Sequence, residues 1–254
     1  MIPANYHTHT LFCDGKNTPE EMVQEAIRLG CPAIGFSGHA YTPFDGSFCM
    51  SLENTRGYID AVRAVQQKYG DKIKIYLGVE QDYDSPESTA GYDYVIGSVH
   101  YVQKDGQYLS VDESKETQIA VVKQFYDGDF YGFVEDYYKA VADVYRKTRC
   151  QIIGHFDIIT KFNREGDLFD PQHPRYQAAA QKALDALLDT PTVLEINTGA
   201  MARGYTKEPY PSKDILRRWL SAGKEVIFSS DCHSSDNILY GYDLYQSHLA
   251  ESKK

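Results

Sequence analysis

The sequence predicts an α/β fold in which seven short strands alternate with seven helices around one closed or nearly closed barrel. Short apolar runs alternate with longer amphipathic segments, which is the pattern of repeated strand–helix units and a parallel sheet. Nearly every apolar run ends in His, Asp or Glu, and parallel barrels gather their reactive groups at the C-terminal ends of their strands. No linker, internal repeat or low-complexity tract divides the 254 residues, so residues 1–254 read as one domain.

The predicted strands are ANYHTH (4–9), AIGFSGHA (33–40), IKIYLGVEQ (73–81), DYVIGSVHYV (93–102), CQIIGHFDII (150–159), TVLEINTG (192–199) and EVIFSSDCH (225–233). A polar, Gly- or Pro-bearing connection follows each of them. The first helix is marked by Thr18 as cap, Pro19 at the first helical position, Glu21 completing a capping box, and Gly30 as the stop. Met22, Ala26 and Leu29 share its apolar face. Further helices are expected over 51–69, 113–126, 131–148, 175–189, 212–222 and 236–250.

Composition narrows the class of protein. A chain of this length buries roughly 70–75% of its unfolded surface and needs no disulfide support. The five cysteines (Cys13, Cys31, Cys49, Cys150 and Cys232) form an odd set without CxxC spacing, which argues for reduced thiols and against a thiolate zinc ribbon. The N-terminus lacks a basic region followed by an apolar run, and no segment has the length of a membrane span, so a cytoplasmic location and no membrane partner are expected. A net charge of -10 without a Lys/Arg run disfavours nucleic acid as a partner. Any small anionic substrate would need a local cation. The 21 tyrosines suggest only half-buried packing with a polar tip.

His7 and His9 lie one residue apart, so in an extended chain both point to the same side. Matching residues stand at the other strand ends: His39 on the second, Glu80 on the third, His100 on the fourth, His155 on the fifth, and Asp231 with His233 on the seventh. The sixth strand lacks such a residue. Asp14, in CDG, is a further carboxylate. His173 and His248 fall outside the set and read as surface residues. Imidazole and carboxylate donors without cysteine favour Mn, Fe or Zn, and this many donors exceed one ion's needs. Two or three divalent ions are therefore expected, with Glu80 best placed to bridge.

These residues also form an ordered series of motifs: HTHTLFCDG, GFSGHA, GVEQDY, GSVH, GHFD and SSDCH. The series resembles the polymerase and histidinol phosphatase (PHP) family of metallophosphoesterases. The resemblance implies a distorted (β/α)7 TIM-like barrel with a trinuclear metal centre. It implies that His7, His9, Glu80 and Asp231 surround one ion, that Glu80, His100 and His155 hold a second, and that Asp14, His39 and His233 hold a third. Within the family the chain looks most like single-domain histidinol-phosphatases, which implies hydrolysis of L-histidinol phosphate in histidine biosynthesis. One departure is Lys161, where arginine is common after the GHxD motif.

Such a centre is locally cationic and attracts a phosphomonoester dianion, and metal coordination brings bound water toward a pKa of roughly 7. Arg203, in the loop after the sixth strand, is expected to clamp a phosphate oxygen, with Lys161 as a second contact. His39, Asp231 or a metal-bound water remain open as the source of the leaving-group proton. Glu165, Asp167 and Glu208 are expected counter-charges for a cationic imidazolyl-amine. The competing readings are a PHP-family phosphoesterase acting on nucleotides or oligonucleotides, a degenerate metal-binding regulatory module, and a metal-dependent amidohydrolase. The last is disfavoured because no strand ends in lysine.

Overall fold

The computed structural model describes residues 2–163 and 166–252. Six strands form one parallel sheet in the order β1 (Ala33–Phe36), β2 (Lys74–Asp82), β3 (Tyr94–Ser98), β6 (Ile152–Ile153), β7 (Val193–Asn197), β8 (Val226–Ser229). The two remaining strands, β4 (Tyr101–Lys104) and β5 (Gln107–Ser110), form an antiparallel hairpin.

The first predicted strand lies between the two edges of the sheet rather than forming a regular strand of it. Asn5 bridges Ile34 of β1, and Thr8 bridges Cys232 beyond β8, both in parallel sense. Gly35 donates to the Asn5 carbonyl at 2.8 Å, and His9 donates to the Cys232 carbonyl at 2.9 Å. The ladder is broken because the His7 amide donates to the side chain of Asn5 instead of a neighbouring strand. That side chain also ties the segment to Ser230 at 2.6 Å and to the Ile238 carbonyl at 3.0 Å. The segment thus closes the barrel with point contacts, and His7 and His9 sit at the seam.

Three further differences from expectation have local causes. The predicted fourth strand stops at Ser98, and its continuation folds back at Asp105-Gly106, whose φ values of 49° and 76° are those of a tight hairpin turn. Only Ile152–Ile153 of the fifth strand is regular, because the chain turns into a short 3-10 helix over Ile158–Thr160. The last helix begins at Tyr242, not 236, after a left-handed turn at Gly241.

The helices otherwise follow the sequence: α1 (Pro19–Arg28), α2 (Leu52–Tyr69), α3 (Lys115–Phe125), α4 (Phe130–Thr148), α5 (Pro174–Leu188), α7 (Lys213–Ser221) and α8 (Tyr242–Ser252), with one unexpected single turn, α6 (Gly199–Ala202), where the sixth predicted strand was to end. The capping box of α1 is complete: the Glu21 amide donates to Thr18 Oγ1 at 3.2 Å, and the Thr18 amide donates to Glu21 Oε2 at 2.8 Å. His173 caps α5 and stacks on Tyr131.

The tyrosines have a structural use that composition did not reveal. Tyr94 fills the space left by two glycines, where a Cβ on Gly35 or Gly78 would come within 2.5 or 2.3 Å of it. Its hydroxyl sits between the carbonyls of Tyr6 and Phe36. Tyr58 likewise donates to the Gly78 carbonyl at 2.7 Å, and Tyr137 to the Phe156 carbonyl at 2.9 Å. In each case an apolar ring packs the interior while the tip satisfies a backbone group the strands leave over.

Candidate metal centre

Glu80 stands near the end of β2, 1% exposed, and its two oxygens face different histidines. Oε2 lies 3.0 Å from His39 Nδ1, 3.1 Å from His7 Nε2 and 3.6 Å from His9 Nε2. Oε1 lies 2.9 Å from His155 Nε2 and 3.5 Å from His100 Nε2, and it accepts the Ser98 hydroxyl at 2.7 Å. Asp231 Oδ1 is 3.1 Å from His9 Nε2 and 3.6 Å from His7 Nε2. Asp14 closes the outer side, 3.1 Å from His233 Nε2, 3.7 Å from His39 Nε2 and 3.8 Å from His9 Nδ1. All nine residues singled out as metal ligands therefore lie in one cluster.

The convergence has local causes. Period-two alternation turns Glu80 and Asp82 to one side of β2. Asp231 adopts φ 47°, the left-handed region that a non-glycine residue rarely enters. Gly199 permits this, since a Cβ there would sit 2.7 Å from the Asp231 side chain.

Sequence reasoning missed an outer layer. Glu195, on the sixth predicted strand and fully buried, accepts from His7 Nδ1 at 2.8 Å and from the His155 amide at 2.6 Å. The sixth strand is therefore not silent. Its signal was a lone acid in the apolar run TVLEINTG, two residues before Asn197 and so on the same face. Asp82 holds His100 Nδ1 at 3.1 Å in the same way. Each partner fixes one ring nitrogen of its histidine and leaves the other directed at Glu80, the arrangement typical of metal-bound imidazoles.

Charge follows geometry. Burial opposes charge on Glu80, but His39 and His7 hold its carboxyl well below the usual range. Burial likewise opposes protonation of His7, and Glu195, Glu80 and Asp231 outweigh it to raise its pKa. For His9, burial and the neighbouring His233 and His39 lower it to about 3, leaving a neutral ring. His100 is raised to about 9 against burial, chiefly by Asp82.

The donors fit divalent metal ions. Three groups each bring their donor atoms within 4.8 Å of one another: His9, Asp14, His39 and His233; His7, His9 and Glu80; and His39, Glu80 and His100. His9 and His39 are thus shared between groups that the resemblance kept apart. His9 Nε2 and His155 Nδ1 are buried with no hydrogen-bond partner. Nitrogen and oxygen donors without thiolate suit Mn, Fe or Zn.

The cluster forms the floor of a cavity of about 620 Å3, whose wall includes Phe44, Phe48 and Tyr101. Arg203 reaches this floor, with Nη1 2.9 Å from His233 Nδ1 and Nη2 3.5 Å from Asp231 Oδ2. Lys161 also lines the cavity, but Asp112 already engages its Nζ through a carbonyl at 2.8 Å and a carboxylate at 3.1 Å. The expected counter-charges are elsewhere. Asp167 pairs with Lys115, Glu208 lies 3.4 Å from Lys213, and neither lines this cavity. Glu165 lies outside the described residues. His248 is not a surface residue: it is 3% exposed, with Nε2 3.1 Å from the Pro211 carbonyl.

A parallel sheet closed by a His-x-His segment, with imidazoles and acids meeting at its strand ends, defines a metal-dependent hydrolase of the barrel type. Residues 5–199 match the PHP domain, and the chain belongs to that family. Arg203, Asp231 and His233 lie beyond the matched segment. The chain is 31% identical to the "Probable histidinol-phosphatase" of Deinococcus radiodurans over 243 residues, covering 91% of this chain and 86% of that one. It is 26% identical to the histidinol-phosphatase of Lactococcus lactis over 245 residues, covering 92% and 85%. The crystal structure of histidinol phosphate phosphatase from L. lactis, complexed with Zn, L-histidinol and phosphate, shares the fold with a TM-score of 0.74 at 22% identity, covering 98% of this chain and 93% of that one.

Proposed function

We infer that this protein is a metal-dependent phosphomonoesterase that hydrolyses L-histidinol phosphate to L-histidinol and phosphate. The observation that carries the chemistry is Glu80, whose two oxygens face two sets of buried histidines as a carboxylate bridging adjacent ions does. The named relatives, matched over 86% and 85% of their length, supply the substrate.

His7, His9, Glu80 and Asp231 would hold one ion, Glu80, His100 and His155 a second, and Asp14, His39 and His233 a third, with Mn, Fe or Zn as the metals. Bound there, divalent ions neutralise phosphoryl charge and make water nucleophilic near neutral pH. The protein's own groups do the rest. Glu195 and Asp82 hold the Nδ1 protons of His7 and His100, so that each Nε2 stays available. Arg203 offers its guanidinium to a phosphate oxygen from the rim of the cavity. Lys161, held by Asp112, adds positive charge at the wall rather than a free second grip. His39, Asp231 or a metal-bound water would supply the proton for the leaving alkoxide; burial opposes charge on Asp231, but His7 and Arg203 outweigh it and favour the charged form, which favours the other two. Phe44, Phe48 and Tyr101 give the cavity an aromatic wall beside the cluster.

The whole chain acts as one unit in this reading, in the cytoplasm, on a small molecule rather than nucleic acid. No described helix is long and apolar enough to cross a membrane. Elemental analysis combined with phosphate release from histidinol phosphate and from a nucleotide panel tests the proposal. Two or three metal ions per chain and a preference for histidinol phosphate are expected. Preferred turnover of nucleotides would overturn the substrate, and retained metal without turnover of any phosphomonoester would overturn the activity.

A further inference from the structure

The cavity over the metal centre is charged differently away from its floor. The floor carries the ligand cluster and Arg203, and the charged residues of the remaining lining are Asp45, Asp112, Glu113 and Lys161. Both cations that line the cavity are engaged, Lys161 by Asp112 at 3.1 Å and Arg203 by His233 and Asp231 at 2.9 and 3.5 Å. Glu113 is exposed, where water and salt screen a single charge. Asp45 is the remaining acid. It is half-buried, and among the described residues no ion pair includes it.

Hydrogen bonds fix this carboxylate in place. Its Oδ1 accepts from the Ser47 amide at 2.8 Å and the Ser47 hydroxyl at 2.6 Å, and its Oδ2 accepts from the Tyr101 hydroxyl at 2.5 Å. Burial opposes charge on Asp45, as does Asp112, and the hydrogen bonds from Ser47 and Tyr101 outweigh both, so the group stays ionised. Tyr101 keeps its proton, because burial and then Asp45 raise its pKa. A carboxylate offers about four lone-pair directions, so Oδ2, with one donor, can accept another.

An aromatic wall joins Asp45 to the metal ligands. The Phe48 ring lies 4.7 Å from the His39 ring and 5.7 Å from the His100 ring. The Tyr101 ring follows at 6.3 Å from Phe48 with 13° between the planes, and Phe44 packs edge-on against it at 4.8 Å. Aromatic faces attract cations, and a desolvated carboxylate without a counter-charge gains from one that donates N–H bonds. We propose that Asp45, held by Tyr101, is the counter-charge that selects phosphomonoesters bearing a cation on their organic half. The assignment rests on the phosphatase reading above, in which the ammonium group of histidinol phosphate is that cation.

Steady-state kinetics of the metal-loaded protein on histidinol phosphate and on 4-nitrophenyl phosphate, which has no cation, test the assignment. In Asp45→Asn the ratio of the two kcat/KM values is expected to fall at least about tenfold against histidinol phosphate, the effect of one charged hydrogen bond. The loss should lie in KM rather than kcat, because the contact is remote from the reacting phosphorus. Tyr101→Phe keeps the ring but releases the carboxylate, and should lower the same ratio by roughly threefold. Isothermal titration with L-histidinol, which keeps the cation and lacks the phosphate, should show the weaker binding without turnover. A purely structural role would lower both activities together and leave the ratio as it was. An unchanged ratio in either folded variant, or unchanged affinity for L-histidinol in Asp45→Asn, overturns the proposal while the phosphatase reading stands. Failure of the parent protein to hydrolyse histidinol phosphate overturns that reading and the assignment with it.

Discussion

Glu195 Oε2 accepts a hydrogen bond from Nδ1 of His7 at 2.8 Å, across 188 residues of sequence. The bond fixes the tautomer of a histidine whose other nitrogen faces Glu80. Glu195→Gln is therefore expected to lower metal affinity or turnover by roughly 10–100-fold, the usual effect of removing such a partner. Metal stoichiometry and phosphate release measured on the same preparation check it. Unchanged values in both would show that the bond is merely structural.

Arg203 and Lys161 both line the cavity but have different partners, and their substitution should separate them. Arg203→Met is expected to lower kcat/KM by roughly tenfold to a hundredfold, from a charged hydrogen bond of about 1.5–3 kcal/mol. Lys161→Met leaves the half-buried Asp112 carboxylate without its ion-pair partner, so its larger effect should appear in urea unfolding.

Gly199 is needed for space. A methyl group there would meet Asp231 at 2.7 Å, where the Asp231 backbone is already held at φ 47°. Gly199→Ala should cost about 1–3 kcal/mol through overpacking. Far-UV circular dichroism should remain parental while metal content falls, because the displaced side chain belongs to the ligand cluster.

His248 gives a pH dependence of known sign. Burial lowers its pKa in the folded protein and outweighs the contact with the Pro211 carbonyl, which raises it. The unfolded chain therefore takes up the proton first, at about pH 6.5, and stability is lost as pH falls below that value until the folded form also protonates. The stability difference between the parent and His248→Gln should narrow between pH 7.5 and pH 5.5, as read by urea denaturation (pH values chosen to span about one unit either side of the unfolded pKa). A constant difference would contradict the assignment.

Thr18→Ala removes one half of the capping box at the start of α1. A loss of about 1 kcal/mol is expected, corresponding to roughly 2–4 °C in Tm. Differential scanning calorimetry of the two proteins decides the matter.

Local rules made much of the molecule readable. Strand alternation turned His7 and His9 to one side, capping chemistry placed α1, and reactive side chains at strand ends marked the C-terminal mouth of a barrel. The motif series marked the same residues. The hairpin at Asp105-Gly106 was not read from the sequence, where the apolar run before it gave one continuous strand.

Closure and sharing were decided only in three dimensions. Whether Asn5 would pair with β1 and its neighbour Thr8 with the chain beyond β8 depends on how far the sheet curls, which no single segment specifies. The division of Glu80 between His39 and His155, the support of His7 by Glu195, and the capture of Lys161 by Asp112 join residues 41 to 188 positions apart. Backbone geometry sets the direction in which a side chain points, so neighbours in sequence suffice to read it. What the side chain meets is set by sheet order and loop packing, so those partners emerged only when the chain was folded.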